Sequence, residues 1–476
     1  MFRSKATALA VVAAVAMPVC QLAHAATDDD LKELREQVRQ LREQYEQRIG
    51  ALEARLKEAE RASGEAQVAA GQAAATADQA VAQSSNRPAS EGAFNPAVSF
   101  ILNGTYGNLS RDPAGFRING FVPTQGEVAP PGRGFSLGES EIAFAANIDQ
   151  NFRGTLIASL SPDEKIEVEE GFLQTLGLAD GLTVKAGRFF SAVGYQNEIH
   201  AHAWDFTDAP LVNKAFLGNQ FADDGVQVKW IAPTDAYFDL GLELGRGRKF
   251  PGGPDGGRSK NGFGSGTLFA HLGGDISDST AWKLGVSHLR TSPRDRSYTD
   301  VDSTGTTVNN SFSGTSRLWA LGGILKWAPN GNATVTNLKL QGEYFRRAES
   351  GDLIYDTALA SLGTQSGGFQ SRQSGWYAQG VYQFMPQWRA GYRYDRLSPG
   401  STGLGLVDSG ALTAADFPVL AAYAPTRSTF MVDWSGSEFS RIRLQFARDQ
   451  SRRDATDNQV FLQYIMSLGA HGAHTF

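Results

Sequence analysis

From about residue 94 onward the chain alternates apolar and polar positions with a period of two. Trp388, Ala390, Tyr392 and Tyr394 alternate with Arg389, Gly391, Arg393 and Asp395, and Ser440, Ile442, Leu444 and Phe446 alternate with Arg441, Arg443, Gln445 and Ala447. The same rhythm runs through Val226–Trp230, Leu338–Tyr344 and Trp376–Phe384. In an extended strand successive side chains point to opposite faces, so each segment has one apolar and one charged face. In a soluble sandwich the apolar face would cover a core. Here the other face carries many fixed charges, and aromatics gather near the segment ends. That combination predicts lipid outside and water inside, in an all-β antiparallel transmembrane barrel.

Strands are expected near residues 96, 138, 152, 166, 182, 223, 236, 265, 280, 316, 334, 372, 388, 426, 438 and 458, which gives about sixteen, the even number usual for such barrels. Tight connections are expected at Asp149–Asn151, Ala179–Gly181, Pro233–Asp235, Asp275–Asp278, Pro329–Gly331, Met385–Gln387 and Ser435–Ser437. Long ones fall between them, at 110–136, 190–222, 248–263, 292–314, 350–371 and 398–425. Short turns on one side and long loops on the other are the asymmetry of outer-membrane barrels, and both chain ends fall on the short-turn side.

Ahead of this region the period changes. Leu31, Leu34, Val38, Leu41 and Tyr45 are spaced by three and four, and the seam shifts to Ile49, Leu52 and Leu56, a stutter in a heptad pattern. Glu, Arg, Lys and Gln flank the stripe, and a solitary helix would leave it wet, so residues 26–61 are expected to form an α-helical coiled coil. Residues 62–93 are rich in Ala, Gln and Ser and read as a linker. At the N-terminus Arg3 and Lys5 precede the apolar run Ala8–Met17, and Ala23-His24-Ala25 offers a cleavage pattern. Residues 1–25 thus read as a secretion signal, too short to span a bilayer, which takes ~20 apolar residues. The expected division is 1–25 signal, 26–61 periplasmic coiled coil, 62–93 linker and 94–476 barrel.

Composition sharpens this picture. The sole cysteine, Cys20, lies in the signal, so the exported chain has no disulfide to hold it. Cys20 follows Pro18-Val19, a poor match to a lipoprotein box. A closed barrel supplies the missing constraint through strand pairing. Glycine makes up 53 of 476 residues and aromatics 10%. Mean hydropathy is −0.29, as expected where half of every strand faces water. The formal charge of −6 argues against nucleic acid as a partner.

At the C-terminus Val460, Leu462, Tyr464, Met466, Leu468 and Ala470 share a parity with the terminal Phe476. This resembles the signal read by the barrel-assembly machinery, although His474 stands where that signal usually has an apolar residue. Signal, coiled coil, linker and barrel, in that order, resemble the phosphate-selective porin O and P family. At residue level the resemblance lies in Lys185-Ala186-Gly187-Arg188-Phe189-Phe190 and Asp223-Asp224-Gly225-Val226-Gln227, similar to that family's strands entering and leaving the third loop. It implies a trimeric outer-membrane channel, in some members anion-selective through rows of Arg and Lys. No such ladder matches residue by residue, and the chain is net acidic.

The third long loop contains Tyr195–Asp205. By analogy with trimeric porins it folds into the lumen, where Glu198, His200, His202, Asp205 and Asp208 are the candidate constriction residues. The bland alternative is a loop packed on the wall through Trp204, Phe206 and Phe216. Parity turns Lys185, Lys229, Lys283, Lys339, Arg389, Arg393, Arg441 and Arg443 into the lumen, with Glu139, Glu141, Glu343 and Asp395 on the same face. Rows of fixed charge bias which ions enter a pore, unless acids and bases cross-link and cancel. Four of these arginines, Arg389, Arg393, Arg441 and Arg443, are expected to form a basic wall facing the acidic loop, with a transverse field between. His200 and His202, with His471 and His474 near the C-terminus, are the candidates for metal, but the latter pair falls at the periplasmic end and His-x-His alone does not make a centre, so neither metal nor cofactor is expected.

No nucleophile–base–orienter set and no catalytic motif is present, so no enzymatic activity is expected. The function expected is passive diffusion of small hydrophilic solutes or ions, anions such as phosphate among them, through an outer-membrane porin of a Gram-negative bacterium. Its partners would be outer-membrane lipids, copies of itself in a trimer, and the assembly machinery through Phe476. The alternatives are an uptake receptor for a nutrient or for a metal such as zinc, which would need a globular plug, and a structural protein tying the membrane to the cell wall.

Overall fold

The computed structural model describes residues 96–124, 128–160, 165–254 and 261–469, with scattered helical positions between 32 and 57. The strands in chain order are β1 (Ala97–Leu109), β2 (Gly134–Ser136), β3 (Ser140–Asn147), β4 (Phe152–Leu160), β5 (Ile166–Thr175), β6 (Leu182–Phe190), β7 (Ala222–Ile231), β8 (Tyr237–Gly245) and β9 (Ser265–Ser277). They continue with β10 (Thr280–Thr291), β11 (Arg296–Val301), β12 (Thr307–Trp327), β13 (Asn337–Tyr355), β14 (Gln365–Met385), β15 (Trp388–Leu404), β16 (Thr426–Ser437), β17 (Ser440–Arg452) and β18 (Ala455–Gly469). Two short helices, α1 (Leu211–Leu217) and α2 (Gly405–Asp408), lie in loops.

Sixteen of these strands form the wall, each antiparallel to its neighbours in chain order. β1 closes the ring by pairing with β18, from Ser99 opposite Gly469 to Leu109 opposite Gln459, and with β3, from Ala97 opposite Ala145 to Ile101 opposite Glu141. The short β2 and β11 pair only inside the connections, against β1 and β12. A closed ring leaves no strand edge unpaired, as hydrocarbon surroundings demand. Outward residues such as Val228, Leu242, Leu321, Leu340, Tyr392, Phe430, Leu444 and Leu462 are exposed, while inward Gln341, Arg393, Arg443 and Gln459 are buried. The two-residue alternation read from the sequence is therefore the apolar exterior and polar interior of a membrane barrel. No described helix is long and apolar enough to cross a membrane.

Most connections sort by length, the exceptions being 161–165 between β4 and β5 and Arg453-Asp454 between β17 and β18, which are short at the end where the others are long. At one end the links are short, and three are tighter than expected: residues 275–277 belong to β9, Met385 to β14 and 435–437 to β16, leaving Asp278-Ser279, Pro386-Gln387 and Glu438-Phe439 as two-residue turns. Asp180 and Asn330 take left-handed backbone at two others (φ 59° and 51°), a conformation that short polar side chains tolerate. The strand starting at Ala97 and the one ending at Gly469 meet at this turn end. At the loop end, segments expected to be loop are strand instead. β12 and β14 each run 21 residues and β13 runs 19, so 307–314, 350–355, 365–371 and 398–404 are paired backbone. Roughly 9–11 residues suffice to cross a bilayer. These hairpins project further, where alternation no longer separates lipid from water and the pattern blurs. On them, Leu406, Leu412, Phe417, Val419 and Leu420 of the 405–425 connection pack with Tyr298, Phe312, Leu353, Tyr355 and Phe369.

The helical positions between 32 and 57 are exposed and carry the pairs Arg39–Glu36 and Arg42–Glu46, one turn apart. Apart from the exposed Ile49, the apolar stripe lies outside the described residues, as do the signal segment, the linker and the last seven residues, with His471, His474 and Phe476.

Candidate functional site

Residues 191–221 connect β6 and β7 and fold against the inward face of the wall. Their path is set by buried strand carboxylates that accept hydrogen bonds from loop backbone. Glu343 of β13 takes the N–H groups of Tyr195 (2.6 Å) and Gln196 (3.2 Å) and the Tyr377 hydroxyl (2.7 Å). Glu243 of β8 takes the Ala192 N–H (2.9 Å), and Asp395 of β15 takes that of Leu211 (2.9 Å). Gly194 makes the entry possible: it has φ +78°, and a Cβ there would sit 2.5 Å from Glu343 Oε1. Asn197 ties the two ends of the loop together, its amide donating to the carbonyls of Ser191 and Phe221 and accepting the Phe221 N–H.

Apolar packing completes the anchor. Leu211, Val212, Ala215 and Phe216 of α1 are buried against Leu289, Leu318, Phe345, Tyr377 and Leu397, which point inward from the wall, and against Phe121. Part of the lumen is thus a hydrophobic core, and those inward apolar side chains break the polar parity of their strands. Trp204, Phe206 and Phe216 are all buried.

The loop acids meet the basic wall directly. Asp205 lies 2.8 Å from Lys339 Nζ and 3.1 Å from Arg389, whose guanidinium also grips Asp433 at 2.6 Å. Asp208 contacts Arg393 and Lys214, each at 3.1 Å, and Arg427. Burial opposes the charge on both loop carboxylates. Lys339 and Arg389 around Asp205, and Arg427, Lys214 and Arg393 around Asp208, outweigh it and hold both well below the usual carboxylate range. Arg393 and Arg443 are fully buried, and Arg443 donates to the Trp204 carbonyl at 2.8 Å. The expected arginine wall is therefore partly consumed in pinning the loop: Arg389 and Arg393 pair with its carboxylates, so no water-filled gap separates those acids from those bases.

Glu198, by contrast, is exposed. Arg441 contacts only the Trp204 carbonyl, at 3.4 Å, with no carboxylate partner within 4.0 Å among the described residues. Glu198 and Arg441 line a cavity of about 540 Å³ together with Glu141, Tyr195, His200, His202, Lys326, Lys339, Arg389 and Glu438. Of the other inward bases, Lys283 lies over the rings of Tyr195 and Tyr237, and Lys185 over Phe172 and Phe189. Lys229 is half-buried on β7.

His200 and His202 face strand carboxylates. His200 Nδ1 lies 3.0 Å from Glu169 and 3.4 Å from Glu141; its Nε2 lies 3.0 Å from Glu170. His202 Nδ1 lies 2.8 Å from the other oxygen of Glu141. Glu169 and Glu170 are neighbours in sequence, yet both reach the same ring. A β-bulge explains it: Ile157 pairs with Glu170 and Ala158 with Val168, so Glu169 has no partner across the strand. Parity counting cannot see a bulge. Only the run Glu167-Val168-Glu169-Glu170, with two acids side by side in a strand, hinted at it.

No family model matches the chain. An uncharacterized protein of Aquifex aeolicus is 28% identical over 416 residues, covering 82% of this chain and 81% of that protein. Similar solved structures are outer-membrane proteins. OmpT of Vibrio cholerae with loop L8 deleted has a TM-score of 0.48 at 12% identity, covering 79% of this chain and 99% of that one. The channel DcaP of Acinetobacter baumannii has a TM-score of 0.45 at 10% identity, covering 80% and 99%. An anion-selective porin of Comamonas acidovorans has a TM-score of 0.45 at 10% identity, covering 79% and 99%. The closed wall of the present chain stands on its own strand pairing.

Proposed function

We propose that this protein is an outer-membrane porin, a passive channel for small hydrophilic solutes and ions. The observation that carries the reading is the loop 191–221, built into the barrel by buried carboxylates and ion pairs and bordering a charged cavity of about 540 Å³. A barrel serving only as an anchor has no use for so specific an internal loop. On this reading the turn end and the N-terminal helix face the periplasm, the outward apolar residues meet outer-membrane lipid, and Phe476 serves insertion by the assembly machinery. The coiled coil joins three copies, as the resemblance to the phosphate-selective porins implies.

Selectivity follows from which charges are left over. Arg441 on one side of the cavity and Glu198 on the loop face water without a compensating partner, while Asp205, Asp208, Arg389 and Arg393 cancel within their pairs. The field across the cavity is therefore transverse, and Arg441 tips it toward anions, phosphate among them. The test is the reversal potential in a salt gradient. The parent should favour chloride over potassium, Arg441→Ala should move the potential toward the potassium side, and Glu198→Gln should move it the other way. A parent that favours cations, or two variants that shift alike, contradicts the assignment.

A further inference from the structure

The cluster at His200 has a second role that diffusion does not require. Its Nδ1 points between two carboxylates, Glu169 Oε2 at 3.0 Å and Glu141 Oε2 at 3.4 Å, and these donor atoms lie within 4.8 Å of one another. Zinc bonds of about 2.0–2.2 Å at tetrahedral angles place ligand atoms roughly 3.3–3.5 Å apart, so the spacing is close to that of a coordination edge. On the far side of the ring, Nε2 meets Glu170 at 3.0 Å, and the other oxygen of Glu170 is fixed by the Phe190 N–H at 3.0 Å. A carboxylate anchored by backbone and bonded to the distal ring nitrogen is the outer-shell arrangement that orients a metal-ligating histidine. Both ring nitrogens of His200 therefore face carboxylates: the ring can hold a proton toward each side, and a metal ion at Nδ1 would take the place of the proton there while Nε2–H stays with Glu170.

Charge points the same way. Three carboxylates, Glu141, Glu169 and Glu170, outnumber the two imidazoles they meet, His200 and His202, and Glu141 is almost wholly buried. Burying such an excess of negative charge is costly unless a cation neutralises it. Glu141, His200 and His202 also line the cavity, so an ion can reach the cluster from water.

We propose that Glu141, Glu169 and His200 bind a divalent transition-metal ion of the zinc class, with Glu170 as the positioning residue. The fourth position faces the cavity and His202. Mixed imidazole and carboxylate donors without thiolate suit zinc better than calcium or magnesium, which take oxygen alone. Such an ion joins the loop, through His200, to β3 and β5, through Glu141 and Glu169. It staples the loop at the side opposite the arginine anchor.

The experiment uses the full-length protein, without a histidine tag, purified in detergent, stripped with chelator and dialysed against zinc. Elemental analysis should find about one tightly held zinc per chain, the number set by the one such cluster of donors among the described residues. Glu169→Gln, which keeps shape and removes the anionic ligand, should abolish this binding. Glu170→Gln should weaken it roughly 10–100-fold, the usual cost of an outer-shell partner. Cobalt substituted for zinc should show the visible absorption of a four-coordinate ion in the parent and lose it in Glu169→Gln. If either variant fails to fold, anomalous scattering from zinc-soaked crystals of the parent decides, with a peak among the three donors expected. Zinc below a tenth of an equivalent in the parent, binding unchanged in Glu169→Gln, or an anomalous map without a peak there overturns the proposal.

Discussion

Neutralising Asp208 should release the internal loop. Its carboxylate sits among Arg393, Arg427 and Lys214, all buried, and accepts from the Gln445 amide at 3.2 Å. Asp208→Asn keeps the volume and removes the charge, leaving three cations facing one another. Losing one partner of a buried ion pair costs about 3–5 kcal/mol. Arg393 retains Asp395 at 3.1 Å and Arg427 retains Asp449 at 3.7 Å, which places the loss at the lower end. At ~1.4 kcal/mol per factor of ten, the ratio of docked to undocked loop should fall by roughly a hundredfold or more. Lys214, buried in the docked loop, is the reporter, because trypsin can cut after it only once the loop has left the wall. Faster cleavage at Lys214, larger single-channel conductance and noisier open-channel current are expected together. Resistance of the barrel to unfolding in cold detergent should be unchanged, since the wall pairing does not involve the loop. A variant matching the parent in both cleavage and current would show that the anchor does not hold the loop, and the ion-pair reasoning would be wrong.

The loop end should respond to acid through Asp300, which lies on β11, outside the membrane-crossing part of the wall. Burial raises its carboxyl to about 6, against the N–H groups of Val301 and Val419, with Arg117 also favouring the charged form. The packed state therefore binds the proton more tightly than the open chain, whose carboxyl titrates near ~3.9. The packing that buries Asp300 gains stability as pH falls through about 6 and loses it as pH rises, because burial outweighs the bonds from Val301 and Val419, which favour the charged form. Amide exchange at Val419 and Leu420, corrected for intrinsic rates, should be slower at pH 5 than at pH 8, and Asp300→Asn should remove the difference. Deleting residues 28–61 should convert trimers to monomers in mild detergent while the barrel stays folded, read by light scattering; intact trimers would remove the helix from assembly.

Much of the wall was legible because parity is a local property. Trp388–Asp395 and Ser440–Ala447 announce their faces residue by residue, and the turn chemistry at Asp180 and Asn330 marks their ends. What the sequence hid is what the loop does inside. Parity turns Arg393 and Arg443 inward, but their partners lie far away in sequence, at Asp208 and the Trp204 carbonyl. Arg427, which binds the same Asp208, sits at the start of a strand and drew no notice. Leu318, Phe345 and Leu397 turn apolar side chains inward because the loop brings a core to them. A bulge of one residue at Glu169 reversed the parity that would have sent that acid to the lipid side, and with it concealed the company His200 keeps. Long-range docking and single-residue register changes leave no periodic trace.

The claim that this barrel is a channel is tested most directly by reconstituting the full-length, folded protein into a planar bilayer and recording single channels. The account predicts discrete, step-like insertions of constant conductance, ohmic at low voltage, with a reversal potential in a potassium chloride gradient displaced toward chloride. Insertion of folded barrels without steps in current would contradict it.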